Sequence, residues 1–178
     1  MMPFLEDYRR TVILADMENV LGVPHQTIKK HADKLVASGI LIEERKPKNI
    51  FYSLNTENQM VINYLSIAEK IRLEEALEKS ILLKRLYEIL SPIMGECKFL
   101  IFGSFAKDYK GEDMDVLALG NGKGIKEIAK NFEKTYGKRI HLIHTTKLLQ
   151  KSLLKEVIKK HIILNNFEYF VRIFWESA

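Results

Sequence analysis

The sequence is poor in the residues that small stapled or fibrous proteins need. It contains one cysteine, Cys97, which excludes an internal disulfide and any zinc site built from several thiolates. Because Cys97 lies within an apolar run, we expect a buried structural thiol. With 4 prolines, 9 glycines, 47% hydrophobic and 29% charged residues, the composition is that of a globular chain with a real core.

Long hydrophobic segments are also missing. No apolar run reaches the roughly 18 residues that a membrane helix requires. The first residues, MMPFLEDYRR, lack the basic-then-apolar order of a signal peptide. The sequence therefore predicts a cytoplasmic protein with no membrane contact, and its 178 residues are enough for two small domains.

The stretch DMENVLGVPHQTIKKHADKLVASGIL predicts two helices joined by a tight turn. Gly22 suits the turn, Pro24 can open the second helix because its missing N–H costs nothing there, and Gly39 ends that helix. An inward-facing apolar stripe recurs at helical spacing along the second helix, formed by Ile28, Ala32, Leu35 and Val36. Polar side chains are then left on the outward face near its N-terminal end, namely His25, Gln26, Lys29 and Lys30.

The following run, ILIEERKPKNIFYSLN, predicts a β-hairpin with a basic, proline-containing tip. Together the two helices and the hairpin, over about residues 5 to 56, resemble the winged helix-turn-helix domains of prokaryotic transcription regulators. That resemblance implies DNA binding, with the outward face of the second helix reaching base edges. The tip residues Arg45, Lys46 and Lys48 would contact phosphates.

Net charge supports this interpretation only weakly. The whole chain carries a formal charge of +5, which favours polyanionic partners. Its first 58 residues nevertheless hold as many acidic as basic side chains, so DNA contact there depends on local patches. A winged helix that contacts only protein is the alternative that the residues leave open.

Residues 58–90 contain neither glycine nor proline, and their apolar residues recur at helical spacing. They predict a helical linker in one or two pieces. The linker's apolar stripe can serve a homodimer interface, which suits a regulator that reads paired half-sites. It can equally pack on the second domain, and both interpretations stay open.

The run CKFLIFGSFAKDYKGEDMDVLALG is the most informative one. An apolar strand ends in Gly103 and Ser104, which open a helix whose free N–H groups can receive a phosphate. Asp113 and Asp115 begin a second strand, and period two places both carboxylates on one face. Paired carboxylates repel each other unless a cation lies between them, which indicates Mg²⁺.

GSFA and DMDVLAL resemble the signature of the nucleotidyltransferases of the DNA polymerase β superfamily, especially the small prokaryotic ones. The resemblance implies transfer of a nucleoside monophosphate from an NTP to an acceptor hydroxyl. Gly103, Ser104 and Lys107 would hold the nucleotide. Asp113 and Asp115 would hold two Mg²⁺ ions and act as catalytic residues. Similar small nucleotidyltransferases sometimes act as antitoxins bound to a helical partner protein.

Three residues depart from that pattern. Asp108 stands where the family usually has glycine, and Glu112 replaces the usual serine before the first aspartate. The third strand, KRIHLIHTT, carries His141 at the position that resembles the family's third carboxylate. A histidine can act as a base or ligand, but it brings no negative charge between two cations. An active enzyme and a degenerate domain that binds nucleotide or nothing both remain open.

The sequence thus predicts an α+β protein in three segments. Residues 1–58 form a winged helix-turn-helix domain, 59–92 a helical linker, and 93–178 a nucleotidyltransferase-like domain with a short mixed sheet and C-terminal helices. The central strands are expected at 97–103, 113–119 and 138–145. The predicted function is DNA-binding transcription regulation. The alternatives are an active nucleotidyltransferase acting on a protein or nucleic-acid hydroxyl and an antitoxin-like interaction protein.

Overall fold

The computed structural model of the protein describes residues 1–147 and 150–177. Within these ranges the chain is a mixed α+β structure with eight α-helices and two small β-sheets. No helix in the described ranges is both long and apolar enough to cross a lipid bilayer.

The N-terminal elements are built around a three-stranded antiparallel sheet with strand order β1, β3, β2. In chain order they are β1 (Val12–Ile13), α1 (Leu14–Leu21), α2 (His25–Ala37), β2 (Leu41–Arg45) and β3 (Ile50–Leu54). The predicted pair of helices followed by a hairpin is confirmed at the level of these elements. Strand β1 is an addition that the sequence did not predict.

Local signals explain where the two helices begin and end. The carboxylate of Asp16 accepts the N–H of Ile13 at 3.2 Å, which satisfies a free donor at the start of α1. Gly22, with φ +62°, ends α1 in the left-handed conformation, and Pro24 is the residue just before α2. Ile28 and Ala32 are buried, as the apolar stripe predicts.

Two helices connect the sheets. They are α3 (Met60–Lys79) and α4 (Ile81–Leu90), and they meet at Ser80, whose backbone is extended. The Ser80 hydroxyl accepts the N–H of Leu83 at 3.3 Å and so caps α4. The prediction of helix over this segment is therefore confirmed, and of the two arrangements left open the structure has the one in two pieces.

The C-terminal elements surround a four-stranded mixed sheet with strand order β6, β5, β4, β7, in which only β5 and β6 are parallel. In chain order they are β4 (Cys97–Phe102), α5 (Gly103–Asp108), β5 (Asp113–Gly120), α6 (Ile125–Tyr136), β6 (Arg139–Thr145), α7 (Lys151–Lys159), β7 (His161–Ile163) and α8 (Phe167–Ser177). The three predicted strands lie within one residue of their expected bounds. The corrections are that Gly103 begins a helix, Lys138 precedes β6, and β7 was not foreseen.

One hydrophobic cluster joins both ends of the chain. Helix α8 packs on α3 and buries Phe170, Val171 and Phe174. Tyr8, which precedes the first sheet, lies against this helix, with its ring centroid 6.5 Å from that of Phe174. The residues before β1 are thus tied to the last helix, and this packing helps to fix the two sheets relative to each other.

Candidate functional site

The turn between β4 and α5 brings a glycine against a carboxylate. Gly103 has φ +76°, and a Cβ placed on it would clash with Oδ2 of Asp115. Only glycine fits both the left-handed backbone and that close approach. The Gly-Ser turn, to which the resemblance assigns the nucleotide, therefore lies next to Asp115, to which it assigns a metal ion.

The acidic strand faces basic side chains on its parallel neighbour. The register of β5 and β6 pairs Asp113 with Arg139 and Asp115 with His141. Nε of Arg139 lies 3.4 Å from Oδ1 of Asp113, and Nδ1 of His141 lies 3.0 Å from Oδ1 of Asp115. His141 is thus where the sequence placed it, beside the aspartate pair. Arg139 was missed because a parallel register leaves no signal in the sequence.

These side chains do not fit a two-magnesium centre. Magnesium prefers several oxygen ligands in octahedral geometry. Here each aspartate faces a nitrogen-bearing side chain, and the Arg139 guanidinium is a permanent cation beside Asp113. No cluster of three or more acidic, histidine or cysteine side chains suited to a metal occurs in the described ranges. The aspartate pair therefore lacks the set of oxygen ligands that a magnesium centre needs.

The turn at Gly103 and Ser104, which was expected to bind a phosphate, packs against neighbouring backbone. The N–H of Gly103 donates to the carbonyl of Lys160 at 3.2 Å. Gly111 packs on the first turn of α5, since a Cβ placed on it would lie 2.6 Å from Oγ of Ser104 and 2.7 Å from N of Phe105. These contacts occupy the N–H of Gly103 and the side of the turn that faces Gly111, while Ser104 stays exposed.

Lys138 holds the loop that contains Gly111 in place. Nζ of Lys138 donates to the carbonyl of Gly111 and lies 5.3 Å from the centroid of the Phe105 ring. Lys138 is the residue that the sequence assigned to the third strand, and it lies just before β6. Its cation is therefore committed to the loop and the aromatic ring.

Lys107, the third predicted nucleotide-binding residue, lies elsewhere. It lines a cleft between α5, β7 and the residues before β1. None of Gly103, Ser104, Asp113 and Asp115 lines that cleft. The structure thus brings Gly103 against Asp115, while Lys107, on the same helix as Ser104, lines a cleft that contains none of these residues.

A second candidate surface lies between the start of α2 and the tip of the β2–β3 hairpin. These two elements border one groove of about 400 Å³, into which His25 and Lys29 project from α2 and Lys46 and Lys48 from the hairpin. Gln26 and Lys30, the other predicted readers on α2, are exposed. Sequence reasoning placed these residues on two elements, and the structure brings the two elements to one concave surface.

Several cations of this surface have acidic partners. Lys29 lies 2.9 Å from Asp33, and this hydrogen bond raises the pKa of Lys29 above its ordinary value. The remaining pairs are Arg45 with Glu43 at 2.5 Å, Lys46 with Glu44 at 3.3 Å, and His25 with Glu18 at 3.6 Å. Nucleic-acid phosphates would have to compete with these carboxylates.

A buried ionisable network was not predicted at all. Oε1 of Glu69 lies 3.0 Å from Nε2 of His161, and Arg72 donates to its other oxygen at 2.6 Å. Glu69 and His161 are each only 1% exposed. They are 92 residues apart in the sequence, which carries no signal that would pair them.

Glu69 and His161 both have perturbed pKa values. Burial and the Arg72 guanidinium lower the pKa of His161, although Glu69 opposes them. Burial alone would raise the pKa of Glu69, but His161 and Arg72 outweigh it and lower the pKa below its ordinary value. Three other buried polar atoms, the hydroxyls of Tyr8 and Tyr52 and Nε of Arg72, have no hydrogen-bond partner in the described residues.

Comparison with known proteins gives a partial structural likeness. No protein-family model matches the sequence, and no curated protein matches it at a significant level. Solved structures of the toxin–antitoxin pair MntA–HepT resemble it, one with a TM-score of 0.43 and 14% identity over 53% of this chain and 80% of the other.

A tri-AMPylated HEPN toxin in complex with the MNT antitoxin from Shewanella oneidensis has a TM-score of 0.38 and 12% identity, over 61% of this chain and 82% of the other. A toxin–antitoxin structure with AMP-PNP has a TM-score of 0.40 and 15% identity, over 51% and 77%. At these values the likeness carries no information about what this chain binds.

Proposed function

We propose that this protein is a DNA-binding transcription regulator. Residues 1–58 would act as a winged helix-turn-helix domain, 59–92 as a helical linker, and 93–178 as a nucleotidyltransferase-like domain without catalytic activity. The single observation that carries the proposal is the groove that the basic start of α2 shares with the basic tip of the hairpin.

The arrangement of the groove supports the proposal of DNA binding. A recognition helix contacts base edges with its N-terminal residues. His25, Gln26, Lys29 and Lys30 occupy the first two turns of α2. The hairpin tip lies beside them, so that Lys46 and Lys48 can contact the phosphates that flank a groove entered by α2.

The acidic partners affect binding strength. Phosphate must displace Asp33 from Lys29 and Glu44 from Lys46 before those ammonium groups can bind it. Exposed pairs of this kind contribute little to stability, so displacing the carboxylates costs little free energy. We expect moderate affinity with a clear dependence on salt concentration.

DNA binding is tested by retention of sheared genomic DNA on the purified full-length protein. Lys29→Ala/Lys30→Ala and Arg45→Ala/Lys46→Ala are expected to lower retention. Lys84→Ala/Lys123→Ala removes two exposed lysines far along the chain and serves as the charge-matched control. The proposal fails if both groove variants retain DNA as well as that control does.

The inactive state of the second domain is proposed from the side chains around its aspartates. The Arg139 cation lies beside Asp113, His141 lies beside Asp115, and Gly111 packs on the turn at Ser104. We expect no incorporation of labelled NTP with magnesium, with or without cell extract.

Nucleotidyl transfer is the second candidate, and the approach of Gly103 to Asp115 favours it. In an active enzyme, rearrangement of the 109–112 loop would have to move Gly111 away from the first turn of α5, although Ser104 itself is already exposed. Incorporation of label by the wild type that Asp113→Ala/Asp115→Ala abolishes would establish the enzyme and end the proposal of an inactive domain.

A further inference from the structure

A cleft of about 400 Å³ lies between the residues before β1, helices α3 and α5, and strand β7. This volume is within the range of small-molecule sites, roughly 300–1,000 Å³. We call it the cationic cleft because four of the charged side chains that line it are basic, Arg10, Arg72, Lys107 and Lys160. The other two are Glu6 and Glu75.

Positive charge predominates in the cationic cleft. Its two acidic residues are Glu6 and Glu75, and Glu75 is already hydrogen-bonded to Lys79 at 3.4 Å. Arg10, Lys107 and Lys160 have no carboxylate within 4.0 Å among the residues that the structure describes. Three cations from three separate parts of the chain therefore face one cavity without acidic partners of their own.

Arg72 adds a fourth cation to the cleft, and this one is held in position by other side chains. One of its terminal nitrogens is fixed to Glu69, which in turn contacts His161, so the guanidinium is held by a buried network. Its Nε is buried and has no acceptor in the described residues. Arg72 is also among the residues that line the cleft, so this network holds its positive charge there.

We infer that the cationic cleft binds a small polyphosphate anion, free or carried by a nucleotide, without a metal ion. Arginine and lysine cations that converge from several elements suit the several oxygens of a diphosphate or triphosphate. The site is separate from Gly103, Ser104 and the aspartates, none of which lines it. The inference requires neither DNA binding nor catalysis.

The ligand would also bind across the junction between the first and last parts of the chain. Glu6 and Arg10 belong to the segment before β1, and Val20 and Leu21 belong to α1. Lys160 immediately precedes β7. A ligand that contacts all of these only in the folded protein raises the melting temperature.

The test is isothermal titration calorimetry of the full-length protein with inorganic pyrophosphate, ATP and adenosine, all in EDTA. Removing divalent metal excludes binding through the aspartate pair. We expect pyrophosphate and ATP to bind and compete, adenosine not to bind, and the melting temperature to rise with either phosphate ligand. Binding of ATP alone would mean that a nucleotide carries the polyphosphate, provided that the cleft variant below weakens it.

The variant Lys107→Ala/Lys160→Ala removes two exposed cations of the cleft and is expected to weaken binding at least about tenfold. Lys110→Ala/Lys155→Ala, exposed and outside the cleft, is the matched control and should change affinity less than about twofold. Three results overturn the inference: no binding of either phosphate ligand at millimolar concentration, equal weakening in both lysine variants, or weakening caused by Asp113→Asn/Asp115→Asn instead.

Discussion

Gly103 is restricted to glycine by its own backbone and by a neighbouring side chain. Its φ of +76° disfavours any residue with a Cβ, and the space that the Cβ would occupy is taken by the carboxylate of Asp115. Gly124 has a similar φ of +80°, but nothing lies within 4 Å of its Cβ position. Substitution of Gly124 therefore measures the cost of a left-handed backbone alone, whereas substitution of Gly103 adds the cost of the contact with Asp115.

We predict that Gly103→Ala is clearly more destabilising than Gly124→Ala. The second substitution should cost about 1 kcal/mol for its left-handed backbone. The first should cost about 1–3 kcal/mol more, because the new methyl group displaces Asp115. Urea unfolding of both variants measures the difference, and equal costs would mean that Asp115 does not press on Gly103.

The buried network of Glu69, His161 and Arg72 makes stability depend on pH. In the folded protein the pKa of His161 lies below its ordinary value of 6.5 and that of Glu69 below 4.5. For both groups the unfolded chain therefore binds a proton at a pH where the folded chain does not. Acid must favour unfolding at both positions.

We predict that the free energy of unfolding falls as the pH is lowered from 7 through 6.5, and falls again below 4.5. His161→Gln keeps a side-chain donor for Glu69 but does not titrate. It should be less stable than the wild type at pH 7 and show a weaker pH dependence between 7 and 5. Urea titrations at several pH values test this, and an unchanged slope in the variant would exclude His161 as the titrating group.

At the scale of elements, the junction of α3 and α4 depends on one hydroxyl. Ser80 stops α3 with an extended backbone and caps α4 through the N–H of Leu83. We predict that Ser80→Ala lowers the free energy of unfolding by about 1 kcal/mol, because a buried N–H is left without its acceptor. Ser152→Ala, exposed in α7, is the control. A decrease no larger than that of the control would show that the cap is unimportant.

The sequence predicted those elements that have a strong local signal. Strands β4 and β5 contain apolar runs bounded by polar or glycine residues, β6 alternates polar and apolar residues over most of its length, and α2 has a clear stripe and clear ends. Strands β1 and β7 span two and three residues and are too short for any periodicity. Both form only because a neighbouring strand pairs with them.

The side chains of the candidate site were predicted only in part, for a similar reason. Gly103, Asp113, Asp115 and His141 could be predicted because each is adjacent to a recognisable turn or strand start. The contact of Arg139 with Asp113 depends on a parallel register, and the packing of Gly111 on Ser104 depends on how the loop folds back. Neither is encoded in local patterns.

At the scale of the whole molecule, the chain offers two basic surfaces with different shapes. The groove between α2 and the hairpin is open and bordered by an exposed helix, which suits a duplex. The cationic cleft lies between the residues before β1, helices α1, α3 and α5, and strand β7, and it suits a small anion. The shared core of Tyr8, Phe170 and Phe174 helps to hold these two surfaces in a fixed relation.

DNA binding by α2 and the hairpin is the central claim, and its salt dependence tests that claim most directly. The measurement is the affinity of the full-length protein for a retained DNA fragment at several salt concentrations, for the wild type and for Lys29→Ala/Lys30→Ala. We predict that the slope of log K against log salt becomes shallower by about 1 for each phosphate that the variant no longer neutralises. A variant whose slope and affinity equal those of the wild type and of Lys84→Ala/Lys123→Ala would contradict the account.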